Sequence, residues 1–290
     1  MSKLKHPNAP AAKTEPHEEN TVNEEDTVNK ASALSSKLIY EVIRRDGTEE
    51  MERPLMSLWW SGVAAGMVIS LSVIGEAIFR AYLPATQWRH LVESLGYTFG
   101  FLVVINGRLQ LFTENTITSI LPVVGQWSWR NLGRVGRLWA VVLAANVLGA
   151  FLAAALIAFT SAFEPSVVVA IGDLSRHATG HGWIDGFFKA VPAAILVAAI
   201  VWMLPTADGG KVVLILLFTW LIAAGDFTHV VAGSVEMAYL VLIGELPAMQ
   251  AATTFFLPVL LGNVAGGTLV FTLTAWGQVR RELHQKPSQD

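Results

Sequence analysis

The sequence predicts an all-α membrane protein with six transmembrane helices in an inverted 3+3 repeat, the second and fifth helices broken. Three observations lead there. Hydrophobic residues make up 53% of the chain and charged residues only 15%, too little charge to cover a soluble domain of this length. The apolar residues fall in six blocks, roughly 57–79, 95–122, 138–160, 187–204, 212–243 and 255–277, each long enough to cross a bilayer. Blocks two and five are overlong and interrupted by polar residues at corresponding places in the two halves. Paired breaks of this kind mark a site near the bilayer midplane.

The elements follow in order. Residues 1–30 are polar, without the apolar core of a signal peptide, and read as a disordered cytoplasmic tail. Residues 31–54 form an amphipathic helix, with Leu34, Leu38, Ile39, Val42 and Ile43 at helical spacing, at the membrane surface or against the bundle. Residues 55–280 hold the six spans, and 281–290 form a second cytoplasmic tail. Trp59, Trp60, Trp127, Trp129 and Trp183 fit interfacial belts.

Basic residues near span ends set the orientation. Arg44, Arg45, Arg53, Arg130, Arg134, Arg137, Lys211, Arg280, Arg281 and Lys286 fall on one side. Arg80, Arg89, Arg176 and Lys189 fall on the other. The ten-to-four bias places both termini in the cytoplasm. The net charge of −3 comes with no dense basic patch, so nucleic acid is not an expected partner. The absence of Cys excludes disulfides and thiolate chemistry.

The breaks carry the chemistry. In span two, "NGRLQLFTENT" (Asn106–Thr116) brings in Arg108, Gln110, Thr113, Glu114 and Asn115. In span five, "GDFTH" brings in Asp226, Thr228 and His229. Leu-Phe-Thr-Glu at 111–114 and Asp-Phe-Thr-His at 226–229 read as matching breaks. Unpaired backbone costs several kcal/mol per group in hydrocarbon, so an unwound stretch must be buried in protein or line a wet cavity. Half-helices starting there aim N–H groups and positive dipole ends at the cavity, which suits a small anion. A bare carboxylate in a dry constriction costs on the order of tens of kcal/mol, and protonation removes most of that. An imidazole, with an ordinary pKa near roughly 6.5, can lend a proton, so His229 favours weak acids, with Thr113 as a second polar partner.

Other polar residues have expected places. Asp226 caps the half-helix after it. Glu236, two turns beyond His229, lies at the outer pore mouth or at an interface. Glu114 pairs with Arg108 or an N–H cluster, unless Arg108 holds loop carbonyls. Glu76 and Arg80 form an i,i+4 ion pair. His177 and His181, two imidazoles without a nearby third ligand, make a poor zinc site. Neither a metal nor a cofactor is expected.

With these motifs the chain resembles the formate/nitrite transporter family over about 57–280. "LFT" at 111–113 is similar to its loop motif, "FTH" at 227–229 to its Phe-Glu-His motif, and "PVLLGNVAGG" at 258–267 to its span-six Gly-Asn-x-x-Gly-Gly motif. The resemblance implies an aquaporin-like fold, a homopentamer with one pore per protomer in the inner membrane, and a small anion or weak acid as substrate. It implies that Thr113, His229 and Asn263 line the pathway. It places apolar constrictions at Tyr97, Phe101, Leu111, Phe112, Val197 and Ile222. The chain departs from the pattern at Gln110, Thr228, Gly233 and Ala194, and in the added acids Glu114 and Glu236. Its vestibule lysine has no clear counterpart beyond Arg176, His177 or His181. The alternatives are a channel for water or small neutral solutes and a non-conducting pentamer. A water channel lacks its paired Asn-Pro-Ala motifs, since "PNAP" lies in the tail. A membrane enzyme or sensor has no supporting motif.

Overall fold

The computed structural model describes residues 34–207 and 209–283. The whole of the expected N-terminal tail (1–30), residues 31–33 of the expected amphipathic helix, and residues 284–290 of the C-terminal tail with Lys286 lie outside the described residues. All regular structure among the described residues is helical.

Helix α1 (Ser36–Glu52) precedes the apolar rods. It seats Ile39, Tyr40, Ile43 and Met51 in the bundle, while Leu38 and Val42 stay exposed. Tyr40 donates its hydroxyl to the Leu121 carbonyl at 3.3 Å. On the outer face Arg44 forks onto Glu41 at 2.8 and 2.7 Å, which holds the Glu41 carboxyl down at about 2.

Four continuous rods are long and apolar enough to cross a membrane: Leu55–Tyr82, Trp129–Phe159, Trp183–Thr206 and Ala248–Glu282. The first divides at Ile69 into α2 (Leu55–Val68) and α3 (Ser70–Tyr82). The second is α7 (Trp129–Phe159), entered through a Ser128 cap on the Asn131 N–H. Helix α8 (Pro165–Thr179) starts with Pro at its first position and leads to α9 (Trp183–Met203). The last rod widens into π turns at Ala251–Phe256 and Ala265–Thr272. The first of these holds Thr254, whose carbonyl the Pro258 ring would meet in a regular helix.

The remaining helices come in interrupted pairs. Helix α4 (Arg89–Asn106) is followed after a gap by α5 (Phe112–Thr118) and α6 (Ile120–Gly125). Helix α10 (Lys211–Ala224) is followed after a gap by α11 (Val230–Leu242). Small residues let the rods approach these gaps. A Cβ on Gly149 would lie 2.2 Å from the Val63 carbonyl oxygen, and one on Gly266 would lie 2.3 Å from that of Val191. Close backbone approach of this kind is how helices pack where hydrophobicity gives no drive. Trp60, Trp127, Trp129 and Trp183 are exposed on the outside of the bundle.

Candidate pore site

The two gaps have one construction. Helix α4 ends at Gly107, whose N–H bonds the Val103 carbonyl, and Arg108 turns left-handed at φ +51°. Helix α10 ends at Gly225, whose N–H bonds the Leu221 carbonyl, and Asp226 turns left-handed at φ +53°. These are the only non-glycine residues with positive φ among the described residues. Such a conformation costs energy and persists where the surroundings enforce it. The next bonds also match. Leu109 N–H reaches Val104 and Phe227 N–H reaches Ile222.

This pattern sets Leu111 against His229 and Phe112 against Val230. The Phe-Thr letters shared by the two gaps are therefore out of register by three residues. The structural match is Gly107-Arg108-Leu109-Gln110-Leu111 with Gly225-Asp226-Phe227-Thr228-His229.

One buried asparagine braces each gap. Asn146 of α7 accepts from Phe112 N–H at 2.9 Å and donates to the carbonyls of Gln110 and Gly62, both at 2.8 Å. Asn263 accepts from Val230 N–H at 2.8 Å and donates to the carbonyls of Thr228 at 3.1 Å and Ala190 at 2.7 Å. Each side chain satisfies the first helical N–H after the gap, the carbonyl two residues earlier, and a carbonyl of a neighbouring rod. Unwound backbone is thereby made tolerable in an apolar interior. Asn263 is fully buried and has both its N–H donors committed to backbone, so it serves as the brace of the gap rather than as a free polar group.

The two gaps meet at His229 and Thr113. His229 Nε2 and Thr113 Oγ1 are 2.7 Å apart, and both residues are about 1% exposed. His229 is the N-cap of α11, its Nδ1 accepting from Ala232 N–H at 3.2 Å. An acceptor at Nδ1 puts the proton of the neutral ring on Nε2, which then faces Thr113. The cap expected of Asp226 thus belongs to His229, because the helix begins at Val230. Asp226 turns instead to His177 Nε2 at 2.9 Å and to the Lys189 ammonium.

Aromatic rings pack around His229. Phe101 meets it edge-on at 5.0 Å between centroids, and Tyr97 tilts against Phe101 at 5.3 Å. Tyr97, Phe101, Leu111, Phe112, Val197 and Ile222 are all buried. Phe112 turns its ring edge-on to Trp139 at 5.6 Å, while Trp139 donates to the Asn115 carbonyl and to Ser119.

One cavity reaches this centre at His229, and a second lies beside the first gap at Leu111, Glu114 and Asn115. One, of about 500 Å³, is lined by Tyr97, Thr228, His229, Glu236 and Glu76, among others. The other, of about 380 Å³, is lined by Arg108, Gln110, Leu111, Glu114 and Asp46, among others. Phe101, Phe112, Thr113, Val197 and Ile222 line neither. Glu236 thus stands in the larger cavity. Glu114 and Arg108 share the smaller one without pairing, and Glu114 Oε1 is buried with no hydrogen-bond partner among the described residues. Thr228 Oγ1 is likewise buried and unpartnered.

The expected Glu76–Arg80 pair is replaced. Arg80 forks onto Glu93 at 3.1 and 2.5 Å, and Glu93, only 2% exposed at its side chain, also faces Arg89 and His90. Glu93 reaches Arg80 from the adjacent helix and binds it side-on through Nε and Nη2, leaving Glu76 to the cavity. At the rim Arg176 bridges α8 to Glu245 at 2.8 and 3.0 Å and holds the Glu245 carboxyl below the usual range.

Asn146, Lys189 and Glu93 are the site residues that sequence reasoning passed over. A signal for the first was present. Asn146-Val147-Leu148-Gly149 and Asn263-Val264-Ala265-Gly266 share the pattern Asn-Val-x-Gly.

The formate/nitrite transporter family model matches residues 37–277. The chain belongs to the formate/nitrite transporter family. Among its relatives, the inner membrane protein YfdC of Escherichia coli (strain K12) is 42% identical over 248 residues, covering 86% of this chain and 80% of that protein. The formate channel FocA of Haemophilus influenzae is 26% identical, covering 75% and 84% respectively. Two solved structures share the fold. A pentameric formate channel with formate bound has a TM-score of 0.66 at 19% identity, covering 78% of this chain and 98% of that one. An FNT family ion channel has a TM-score of 0.69 at 22% identity, covering 88% and 99%. Membership makes this a membrane protein of a channel and transporter family, not an enzyme.

Proposed function

We propose that the protein conducts small monovalent anions, in company with a proton or as their weak acids, across the inner membrane. Six crossings in two inverted halves would enclose the pathway in each protomer, with both termini in the cytoplasm. A homopentamer is the assembly proposed, as in the pentameric formate channel whose fold it shares. The observation that carries the reading is the 2.7 Å contact between His229 Nε2 and Thr113 Oγ1 where two half-helices begin.

Two helix N-termini converging on one point favour negative charge there. The Nε2–H of His229 is then the polar group that a solute meets in place of Thr113. Phe101 and Tyr97 on one side and Leu111 on the other make the approach apolar, so a bare anion pays heavily to come unprotonated. Glu76 and Glu236 in the larger cavity and Glu114 in the smaller one supply no positive charge with which a free anion could pair. They turn the reading toward weak acids, formate and nitrite among them, and away from anions of strong acids.

The test is uptake into proteoliposomes at a series of pH values, with formate, nitrite, acetate, lactate, hydrosulfide and glycerol. Uptake of the small weak acids, rising as pH falls, supports the reading. Movement of glycerol alone would replace it with a neutral-solute channel, and no movement of any solute would replace it with a closed structural assembly.

A further inference from the structure

His177 and His181 lack a third ligand in the sequence, and the fold supplies one. His177 lies in the last turn of α8 and His181 just beyond it. Asp226, the left-handed residue that opens the second gap, comes up against both. Asp226 Oδ1 is 2.9 Å from His177 Nε2, and Oδ2 is 3.8 Å from His181 Nε2. The two rings stand edge to face at 5.5 Å. One ligand atom from each of the three lies within 4.8 Å of the other two.

We propose that His177, His181 and Asp226 form a binding site for a late transition-metal dication, Zn²⁺ being the best match, at the mouth of the larger cavity. Two imidazole nitrogens and a carboxylate oxygen are a borderline-soft donor set that suits Zn²⁺, Co²⁺ or Ni²⁺ far better than Mg²⁺ or Ca²⁺. Around Zn²⁺ the donors would draw in to about 2.0–2.2 Å from the ion, a closure of about an ångström. Exposed side chains can make it, since His177 is 61% exposed, Asp226 38% and His181 19% at their side chains. Asp226 stays rigid in its backbone because the gap around it is bonded throughout.

Lys189 already places a positive charge at this carboxylate. Its ammonium pairs with Asp226 Oδ2 and reaches the Asp226 carbonyl at 3.4 Å. A metal ion must displace it. The lysine stem is flexible and its side chain is 30% exposed, so displacement weakens binding without preventing it. Water completes the coordination from the cavity side. The ion would tie the end of α8 to the gap three residues before His229. The site is independent of which solute the pathway serves.

The experiment uses the full chain, purified in detergent and treated with a chelator. Calorimetric titration with ZnCl₂ is expected to show one site per protomer, and Co²⁺ in its place to develop visible absorption bands of low coordination number. His177→Ala and His181→Ala are each expected to weaken binding at least tenfold. Lys189→Met is expected to tighten it, because it removes the competing cation and leaves all three ligands. Because that variant gains rather than loses, misfolding cannot imitate it. No saturable Zn²⁺ binding in the natural protein and in Lys189→Met, or equal affinity in the double variant His177→Ala/His181→Ala, would overturn the site.

Discussion

Asn146 and Asn263 make the same three hydrogen bonds, each to the backbone of one gap and one neighbouring rod. Each gap depends on its asparagine for the first helical N–H after the break and the carbonyl two residues before it, while Gln110 N–H goes to Ser61 Oγ and Thr228 N–H to the Lys189 carbonyl. The side chains that meet between the gaps, His229 and Thr113, are held in place by these two amides rather than by each other alone.

Asn146→Ala should be severely destabilising. It strands the Phe112 N–H and the Gln110 carbonyl in a fully buried place, at about 1–3 kcal/mol for each group. Asn263→Ala should cost as much for the same reason. Thermal unfolding in detergent measures both. A variant with an unchanged midpoint would show that the brace is dispensable.

Gly149→Ala and Gly266→Ala should separate the rods that carry those asparagines. The added Cβ would meet backbone oxygen at 2.2 and 2.3 Å, which no rotamer change relieves. The expected loss is about 1–3 kcal/mol, read as a lower unfolding midpoint together with reduced uptake.

Arg80→Ala should destabilise more than an exposed ion pair would. It leaves the Glu93 carboxylate buried with only Arg89 at 3.5 Å and His90 at 3.6 Å. Breaking a buried pair from one side costs about 3–5 kcal/mol. The double variant Arg80→Met/Glu93→Met should recover much of the loss, and failure to recover would place the role of the pair elsewhere.

Much of this was legible in the sequence. The apolar blocks and their polar interruptions put breaks at 106–116 and 225–229, and the structure narrows the first to 107–111 because the helix resumes at Phe112. His229 and Thr113 stand out as polar residues that such a setting must use. The register of the gaps was not legible from Leu-Phe-Thr and Asp-Phe-Thr, because it is set by a helix-ending glycine and a left-handed residue, not by the side chains that happen to recur. Asn146 stayed hidden inside a long apolar block, where a single amide reads as packing until its partners, 36 and 84 residues away in the chain, are known. Glu76 and Asp226 were misassigned for a related cause. Glu76 had Arg80 one turn on, and the fold gave that arginine to Glu93 of the adjacent helix; Asp226 had a helix start beside it, and the fold gave it His177 and Lys189 instead.

The most direct test of the central claim is pH-dependent formate uptake by proteoliposomes containing His229→Phe, beside the natural protein at equal incorporation. Phe keeps the bulk of the ring and its packing on Phe101 but removes the Nε2–H and the polar contact with Thr113. The account expects weak-acid uptake and its pH dependence to be lost. Uptake equal to that of the natural protein, with the same pH profile, would contradict it.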